Sequence, residues 1–299
     1  LGDMTLSNLL IEELDLSQIN FNGNTLTLQC ARLNKIVGPE TFNGSLLLLP
    51  KSCRLTEFTL EGISNIQGDF QCKDYSYVKE FVMPFIRVAG DMTIALNSGS
   101  VNTAAEIEFP KLQEIGGTLT LGSNSNANNI AFPSLKKILG SCSVTTTDLK
   151  NDIEFTNLES IGTDGADEQI KFEIEATNIL CPKLKTINGK FDIATSSFMF
   201  GMEVDKVSYP NVESISENLS ITCPYSDFGS NGILSIDFSG LKSVKGISIS
   251  GQGDVTDFSS FKYLFENNVL TGESQWSVKE CGYNPTFQEM KDGKYKLAE

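Results

Sequence analysis

The 299-residue sequence contains no histidine and only three arginines, Arg32, Arg54 and Arg87. Histidine is the commonest general base and a frequent metal ligand, so its absence removes every Ser-His-Asp and Cys-His catalytic arrangement. A polysaccharide-cleaving solenoid would need acidic residues clustered with basic ones on one face, and three arginines supply few of these basic side chains. The composition therefore predicts that the protein is not an enzyme.

Long apolar runs are also missing, because no stretch approaches the roughly 20 residues that a membrane span requires. Acidic residues outnumber basic ones by 38 to 23, which gives a formal net charge of −15. A surface of this charge repels phosphate backbones and anionic membranes. We expect no integral membrane span and no nucleic-acid partner. No charged and apolar leader stands at residue 1, so a signal peptide is either absent or already removed.

A repeated motif, seen most fully from Phe109-Pro110-Lys111-Leu112 onwards, runs through most of the sequence. Each unit begins with an apolar residue, and further apolar residues stand three and six positions after it, as Leu112 and Ile115 do after Phe109. In seven of the nine units a glycine stands eight positions after the first residue, as Gly117 does. Such a glycine allows either a positive φ or a close approach of two backbones at a corner. The nine units begin 22 to 30 residues apart, at Cys30, Leu60, Val82, Phe109, Phe132, Phe155, Cys181, Tyr209 and Phe238.

After the glycine, apolar and polar residues alternate, as in Leu119-Thr120-Leu121, which is the pattern of a β-strand. One unit cannot bury its apolar side alone, so neighbouring units must stack as coils. The sequence therefore predicts a mainly β fold, a right-handed single-chain solenoid of about ten coils with terminal caps. In three units the strand is displaced, to Leu46 and Leu48, to Ile170, Phe172 and Ile174, and to Ile247 and Ile249.

The two ends of the chain differ from the repeats. Phe258, Phe261, Leu264 and Phe265 have mostly helical spacing, unlike the units before them. An open solenoid end exposes strand edges and apolar side chains, so we interpret residues 255–299 as a C-terminal cap and tail. Residues 1–15 are predicted to form the N-terminal cap, and residues 16–254 the repeat domain.

Seven cysteines are present, and no two of them have Cys-x-x-Cys spacing. With no histidine to complete a zinc site, we expect neither a metal nor another cofactor. Four cysteines take apolar positions of the repeat, which predicts buried free thiols. These four are Cys30, Cys72, Cys142 and Cys181. A single disulfide among Cys53, Cys223 and Cys281 is left open.

The motif from Phe109 to Leu121 resembles receptor L domains and the leucine-rich-repeat-like surface proteins of gut bacteria, over roughly residues 16–250. The segment from Gly282 to Tyr295 is similar to the tail of bacterial surface lipoproteins. The resemblance implies an extracellular cell-adhesion or binding protein at the bacterial outer surface, with a lipid anchor upstream and a protein or glycan ligand. The missing asparagine ladder and regular helix favour a straighter β-solenoid than the leucine-rich-repeat horseshoe.

Two surfaces of the predicted solenoid are candidates for binding. Outward strand positions such as Thr118 and Thr120 carry short polar side chains, which suit a solvated sheet as well as a flat binding face. Inserts between strands vary in length at one corner, where solenoids commonly place binding residues. Packing beneath a loop explains their aromatic residues too, and a structural spacer or envelope component is the alternative function. The candidate ligand-binding residues in these inserts are Tyr75, Tyr77, Phe198, Phe200, Tyr225 and Phe228.

We predict that replacing Phe198, Phe200, Tyr225 and Phe228 with alanine weakens binding of a protein or glycan ligand at least about tenfold, because aromatic side chains supply most hot-spot affinity. The thermal midpoint should stay nearly unchanged, since these residues have no place in the repeat. The ligand comes from a glycan or protein array, and affinity is measured by calorimetric titration. Unaltered affinity would identify the inserts as plain loops, and a collapsed midpoint would show that the aromatic residues pack.

Overall fold

The structure is a computed structural model. It describes residues 2–21, 23–50, 54–75, 77–96, 105–122, 127–145, 153–164, 171–174, 179–194, 206–223, 235–253 and 255–298. The fold is mainly β, with parallel strands stacked into a β-solenoid of about eight coils, fewer than the sequence predicted. The chain divides into two compact units, Leu1–Leu158 and Glu159–Glu299.

The first unit consists of short strands. They are β1 (Met4–Ser7), β2 (Glu13–Asp15), β3 (Thr25–Gln29), β4 (Lys35–Val37), β5 (Thr41–Phe42), β6 (Ser45–Leu48), β7 (Thr59–Glu61), β8 (Asn65–Ile66), β9 (Phe70–Lys73), β10 (Glu80–Val82), β11 (Arg87–Val88), β12 (Met92–Ala95), β13 (Ala105–Glu108), β14 (Glu114–Ile115), β15 (Leu119–Gly122), β16 (Ala127–Ala131), β17 (Lys137–Ile138), β18 (Cys142–Thr145) and β19 (Ile153–Glu154).

These strands form sheets that run along the stack, and a coil such as β8–β9–β10 gives one strand to each of three sheets. The long-strand sheet has the order β1-β3-β6-β9-β12-β15-β18. A second sheet has the order β5-β8-β11-β14-β17, and the third side carries β2-β4-β7 and then β10-β13-β16-β19. Neighbouring strands are parallel and in register, as in Met92↔Leu119 and Leu119↔Cys142. Parallel pairing therefore aligns equivalent residues of successive repeats.

The second unit continues the same pattern and ends in two short helices. In its long-strand sheet the order is β21-β24-β27-β29-β30. Its elements are β20 (Ser160–Ile161), β21 (Lys171–Ile174), β22 (Ile179–Leu180), β23 (Thr186–Ile187), β24 (Lys190–Ala194), β25 (Lys206–Ser208), β26 (Ser214–Ile215), β27 (Asn218–Cys223), β28 (Ser235–Asp237), β29 (Gly246–Gly253), α1 (Lys262–Glu266), β30 (Trp276–Cys281) and α2 (Phe287–Lys291), with 3₁₀ turns at Ser259–Phe261 and Glu273–Gln275.

The core consists of ladders of equivalent apolar side chains. The Phe109 and Phe132 rings stack with centroids 5.0 Å apart and planes 3° apart, and Phe155 stacks on Phe132 at the same distance. The other apolar positions of that motif, Leu112 and Ile115, are fully buried. The predicted core positions are confirmed except at Val82, which is exposed because its neighbours Phe81 and Met83 are the residues that face the core. The displaced strands β6, β21 and β29 are confirmed as well.

The corner glycines are required by close approach of two backbones. A Cβ atom on Gly140 would lie 2.6 Å from the carbonyl carbon of Gly117, and one on Gly117 would lie 2.8 Å from that of Gly90. None of these three glycines has a positive φ. Of the two reasons that the sequence left open, spatial crowding is therefore the one that applies here.

Side chains also join one coil to the next by forming hydrogen bonds with backbone groups of the neighbouring coil. The Asp91 N–H donates to Asp69 Oδ1 at 2.8 Å, and the Thr118 N–H donates to Asp91 Oδ1 at 2.6 Å. At another corner, Ser134 Oγ donates to the carbonyl oxygen of Pro110 at 2.7 Å. The carboxylates of Asp69 and Asp91 thus accept hydrogen bonds from the neighbouring coil.

The terminal segments join the sheets. Residues 1–15, assigned to a cap, provide β1 and β2, which pair in parallel with β3 and β4. Leu9 and Leu10 between them are exposed. In the second unit, Phe261 stacks on Phe238 of the preceding coil at 5.9 Å, so the helical part of residues 255–298 covers that aromatic ladder. The segment predicted as the C-terminal cap also contains a further strand, β30.

The four thiols predicted to be buried are indeed buried, at Cys30, Cys72, Cys142 and Cys181. Burial raises the pKa of the Cys142 thiol well above its usual range. Cys281 is partly exposed, whereas Cys53 and the side chain of Cys223 lie outside the part of the chain that the structure describes.

We predict that Phe132→Ala lowers the free energy of unfolding by about 3–5 kcal/mol, because it removes a ring stacked on both sides and leaves a cavity. Thr120→Ala, on the outward side of β15, is the matched control and should cost less than about 1 kcal/mol. Urea unfolding followed by circular dichroism measures both. Equal effects of the two substitutions would contradict the ladder.

Candidate functional site

The six aromatic residues predicted to bind a ligand fall into three groups. Tyr75 is only 2% exposed, and its ring lies 5.0 Å from that of Phe58 and 6.3 Å from that of Phe81. Tyr77 lies in the following turn and is half-buried. The remaining four, Phe198, Phe200, Tyr225 and Phe228, lie outside the described residues.

The backbone at Asp74 explains why Tyr75 is a packing residue. Asp74 has a φ of 64°, in the left-handed region, directly after β9. An aspartate tolerates this conformation better than most residues do. The chain turns there, and the Tyr75 ring joins the aromatic core next to Phe58. For Tyr75, packing beneath a loop is therefore the alternative that the structure favours.

The outward face of the long-strand sheet is polar and regular in the first unit. Thr93 is in register with Gln71 on one side and with Thr120 on the other, and Ser143 follows Thr120. These side chains are half-buried by their neighbours. Short polar groups at the interstrand distance of about 4.8 Å suit a solvated sheet. No aromatic anchor stands at any of these four positions.

A groove lies beside β30 in the second unit. It is lined by Glu273, by residues 276–278 of the strand and by residues 284–288 of the loop before and within α2, with a volume of about 450 Å³. We call it the β30 groove. Trp276, Val278 and Phe287 give it apolar surface, and Ser277 and Gln288 give it hydrogen-bonding groups. Concave surfaces with this mixture are typical of ligand sites.

Buried contacts hold the strand wall and the loop wall of the β30 groove together. The Trp276 Nε1–H donates to the carbonyl oxygen of Pro285 at 2.9 Å. The Trp276 ring lies edge-on to Phe265 with centroids 5.1 Å apart, and Phe265 lies 5.6 Å from Phe287. These contacts join the strand to the loop, so the groove is a preformed feature of this unit.

The loop wall is also fixed by a capping box at the start of α2. The Thr286 N–H donates to Glu289 Oε2 at 2.9 Å, and the Glu289 N–H donates to Thr286 Oγ1 at 3.2 Å. The hydrogen bond from the Thr286 backbone lowers the pKa of Glu289 below its usual value. A lowered pKa means that this stabilisation is complete above the ordinary carboxyl range and is lost as the pH falls through the folded-state pKa.

The strand wall of the groove has an open hydrogen-bonding edge. In the first unit, buried strand residues direct their peptide groups to the next coil, since the Met92 N–H donates to Thr118 O and the Leu119 N–H to Ser141 O. The first buried residue of β30 has the same orientation, since the Trp276 N–H points away from β29 and donates to Glu273 O. In a parallel strand, the peptide groups of successive residues point alternately to the two neighbouring strands. The N–H and C=O of Val278, two residues after Trp276, therefore also point away from β29. No described strand pairs with that edge of β30.

Sequence reasoning missed the β30 groove, although two of its signals were present. Trp276 is the only tryptophan of the chain. Thr286 and Glu289 have the Thr-x-x-Glu spacing of a capping box, which marks a helix start. What no pattern revealed is that the loop at Pro285 folds back onto Trp276, because that contact joins residues of different elements.

A column of like charges crosses the first unit. Glu80 is bridged to Glu57 on one side and is in register with Glu106 on the other. In the part of the chain that the structure describes, no group of three or more histidine, cysteine or acidic residues is arranged to hold a metal ion. The column is therefore a source of electrostatic repulsion along the stack.

No protein-family model, curated protein or solved structure matches this chain. The resemblance to receptor L domains consequently stays a prediction from the repeat motif. Within the described ranges, no helix is both long enough and apolar enough to cross a membrane. The structure establishes that the chain folds as a β-solenoid.

We predict that Glu80→Gln raises the thermal midpoint by about 1–2 °C at low salt, because it removes like charges from directly opposite positions. Glu114→Gln is the matched control and should lower the thermal midpoint, since Glu114 accepts a hydrogen bond from Arg87 Nε at 2.9 Å. Differential scanning calorimetry at low and high salt measures both, and the Glu80 effect should shrink as salt rises. A lowered midpoint for Glu80→Gln would contradict the repulsion.

Proposed function

We propose that this chain is a non-catalytic binding module that recognises a protein or a glycan on a β-solenoid scaffold. The observation that carries the proposal is the β30 groove, a concave surface of about 450 Å³ with apolar and hydrogen-bonding groups side by side. The bond from Trp276 to Pro285 supports it, because a preformed site loses less entropy when it binds. The absence of histidine from the sequence is the reason for proposing a non-catalytic role.

The proposal includes membership of the receptor L-domain or leucine-rich-repeat-like group, with display at the bacterial outer surface through a lipid anchor. Its support is the repeat motif together with the stacked coils that the motif builds. The net charge of −15 supports a partner other than nucleic acid. Inserts that carry Phe198, Phe200, Tyr225 and Phe228 are proposed as a second contact surface.

A structural spacer without a specific ligand is the second candidate. The burial of Tyr75 against Phe58 favours it, because one predicted anchor serves packing instead of recognition. The small polar residues along the outward sheet face also suit a spacer. The two candidates differ in one measurable respect, since only a binding module has an affinity that depends on the groove.

We predict that Val278→Arg weakens binding of an array-selected ligand at least about tenfold, because the longer charged side chain obstructs the groove. Val82→Arg is the matched control, since Val82 is an exposed strand valine of the other unit. Glycan and peptide arrays identify the ligand, and calorimetric titration gives the affinities.

The thermal midpoints of both variants show whether they fold like the unsubstituted chain. A ligand whose affinity falls for Val278→Arg and not for Val82→Arg supports the proposal. Failure to find a ligand on either array, or equal affinities for the two folded variants, would favour the spacer.

A further inference from the structure

We infer that the β30 groove takes an extended polypeptide segment, which adds to the open edge of β30 as one more parallel strand. The inference rests on the proposed binding function and names its ligand class. It starts from the backbone of β30 and not from the side chains alone. A peptide backbone is the ligand that offers donors and acceptors at the spacing of a strand edge.

The edge groups of β30 supply the first step. The N–H and C=O of Val278 and the C=O of Trp276 lie on the side of the strand that faces away from β29, by the alternation described above. Backbone groups left without partners at a sheet edge are a template for a further strand. Val278 is also half-exposed, whereas Ile249, its register partner on β29, is buried. The position that a further coil would cover is thus open.

Continuity with the existing sheet fixes the direction and the pattern of the ligand. β27, β29 and β30 are parallel to one another, and each places apolar residues on the inner side with a polar residue between them. A segment that continues this sheet therefore carries an apolar–polar–apolar sequence. Its apolar residues lie opposite Trp276 and Val278, and its polar residue lies opposite Ser277.

Charge supplies the last element of the ligand. Among the described residues, Glu273 is the only ionisable one that lines the groove, and it lies just before the start of β30. A parallel ligand places its own amino-terminal residue near that carboxylate. We therefore expect a lysine or arginine ahead of the apolar–polar–apolar segment, and an acidic residue there to be disfavoured.

The probe is a fluorescent, end-capped peptide of sequence Lys-Thr-Leu-Thr-Leu-Gly, which places a lysine before the sequence of residues 118–122 of this chain. In the parallel arrangement, the N–H groups of its second threonine and of its glycine donate to β30. N-methylation of either residue should weaken binding about tenfold, because it removes an edge hydrogen bond. N-methylation of either leucine should have little effect, since those N–H groups face away from β30.

Two measurements on the protein accompany the peptide series. Hydrogen exchange of the Val278 amide should slow when the peptide binds, whereas that of Lys279, which already faces β29, should not change. Replacing the peptide's lysine with glutamate should weaken binding about threefold, and Glu273→Gln should abolish that difference. Glu273→Gln changes an exposed side chain, so the variant should fold normally.

An alternating effect of N-methylation together with protection of Val278 supports strand addition. Binding that is indifferent to the position of the N-methyl group, or no saturation by about 1 mM peptide, would overturn it. A glycan that binds the groove with Val278→Arg sensitivity would overturn the peptide inference and leave the proposed function standing. Concentration-dependent self-association of the chain that the peptide displaces would identify a second copy as the occupant and overturn a separate peptide ligand.

Discussion

The structure depends on one constraint, which is that equivalent residues of successive repeats lie directly above one another. Parallel pairing imposes this alignment at the interstrand distance of about 4.8 Å. Flat rings such as Phe109, Phe132 and Phe155 then stack face to face, and aliphatic side chains form the neighbouring ladders. A coil has no core of its own, so each one is stabilised mainly by the coils before and after it.

The same alignment governs the polar groups. Where the coils turn, the backbones approach so closely that only glycine fits, as at Gly140, and a neighbouring carboxylate such as that of Asp91 accepts a hydrogen bond from the next coil. In-register stacking also places like charges opposite one another at Glu80 and Glu106. Opposite charges in the same arrangement, such as Arg87 and Glu114, attract. Repetition therefore multiplies favourable and unfavourable pairs alike.

A stack of coils must end, and its ends carry unpaired strand edges. In the second unit the aromatic ladder is covered by Phe261, while the loop at Pro285 is tied back to Trp276. This arrangement covers the apolar interior and leaves the edge of β30 beside a groove. The candidate site is thus a consequence of incomplete capping, in which the aromatic ladder is covered but no described strand pairs with the outer edge of β30.

The sequence by itself determined the repeat, its core positions and its strands, because a period of apolar residues reports directly which side chains face inward. Phe109, Leu112 and Ile115 are examples that the structure places in the core. Tertiary structure alone decided the rest. Tyr75 packs in the core because the chain turns at Asp74. The corner positions require glycine because the backbones of neighbouring coils approach closely there. The β30 groove exists because Trp276 and Pro285, nine residues apart, are hydrogen-bonded. These outcomes depend on contacts between different elements, and no one-dimensional pattern encodes such contacts.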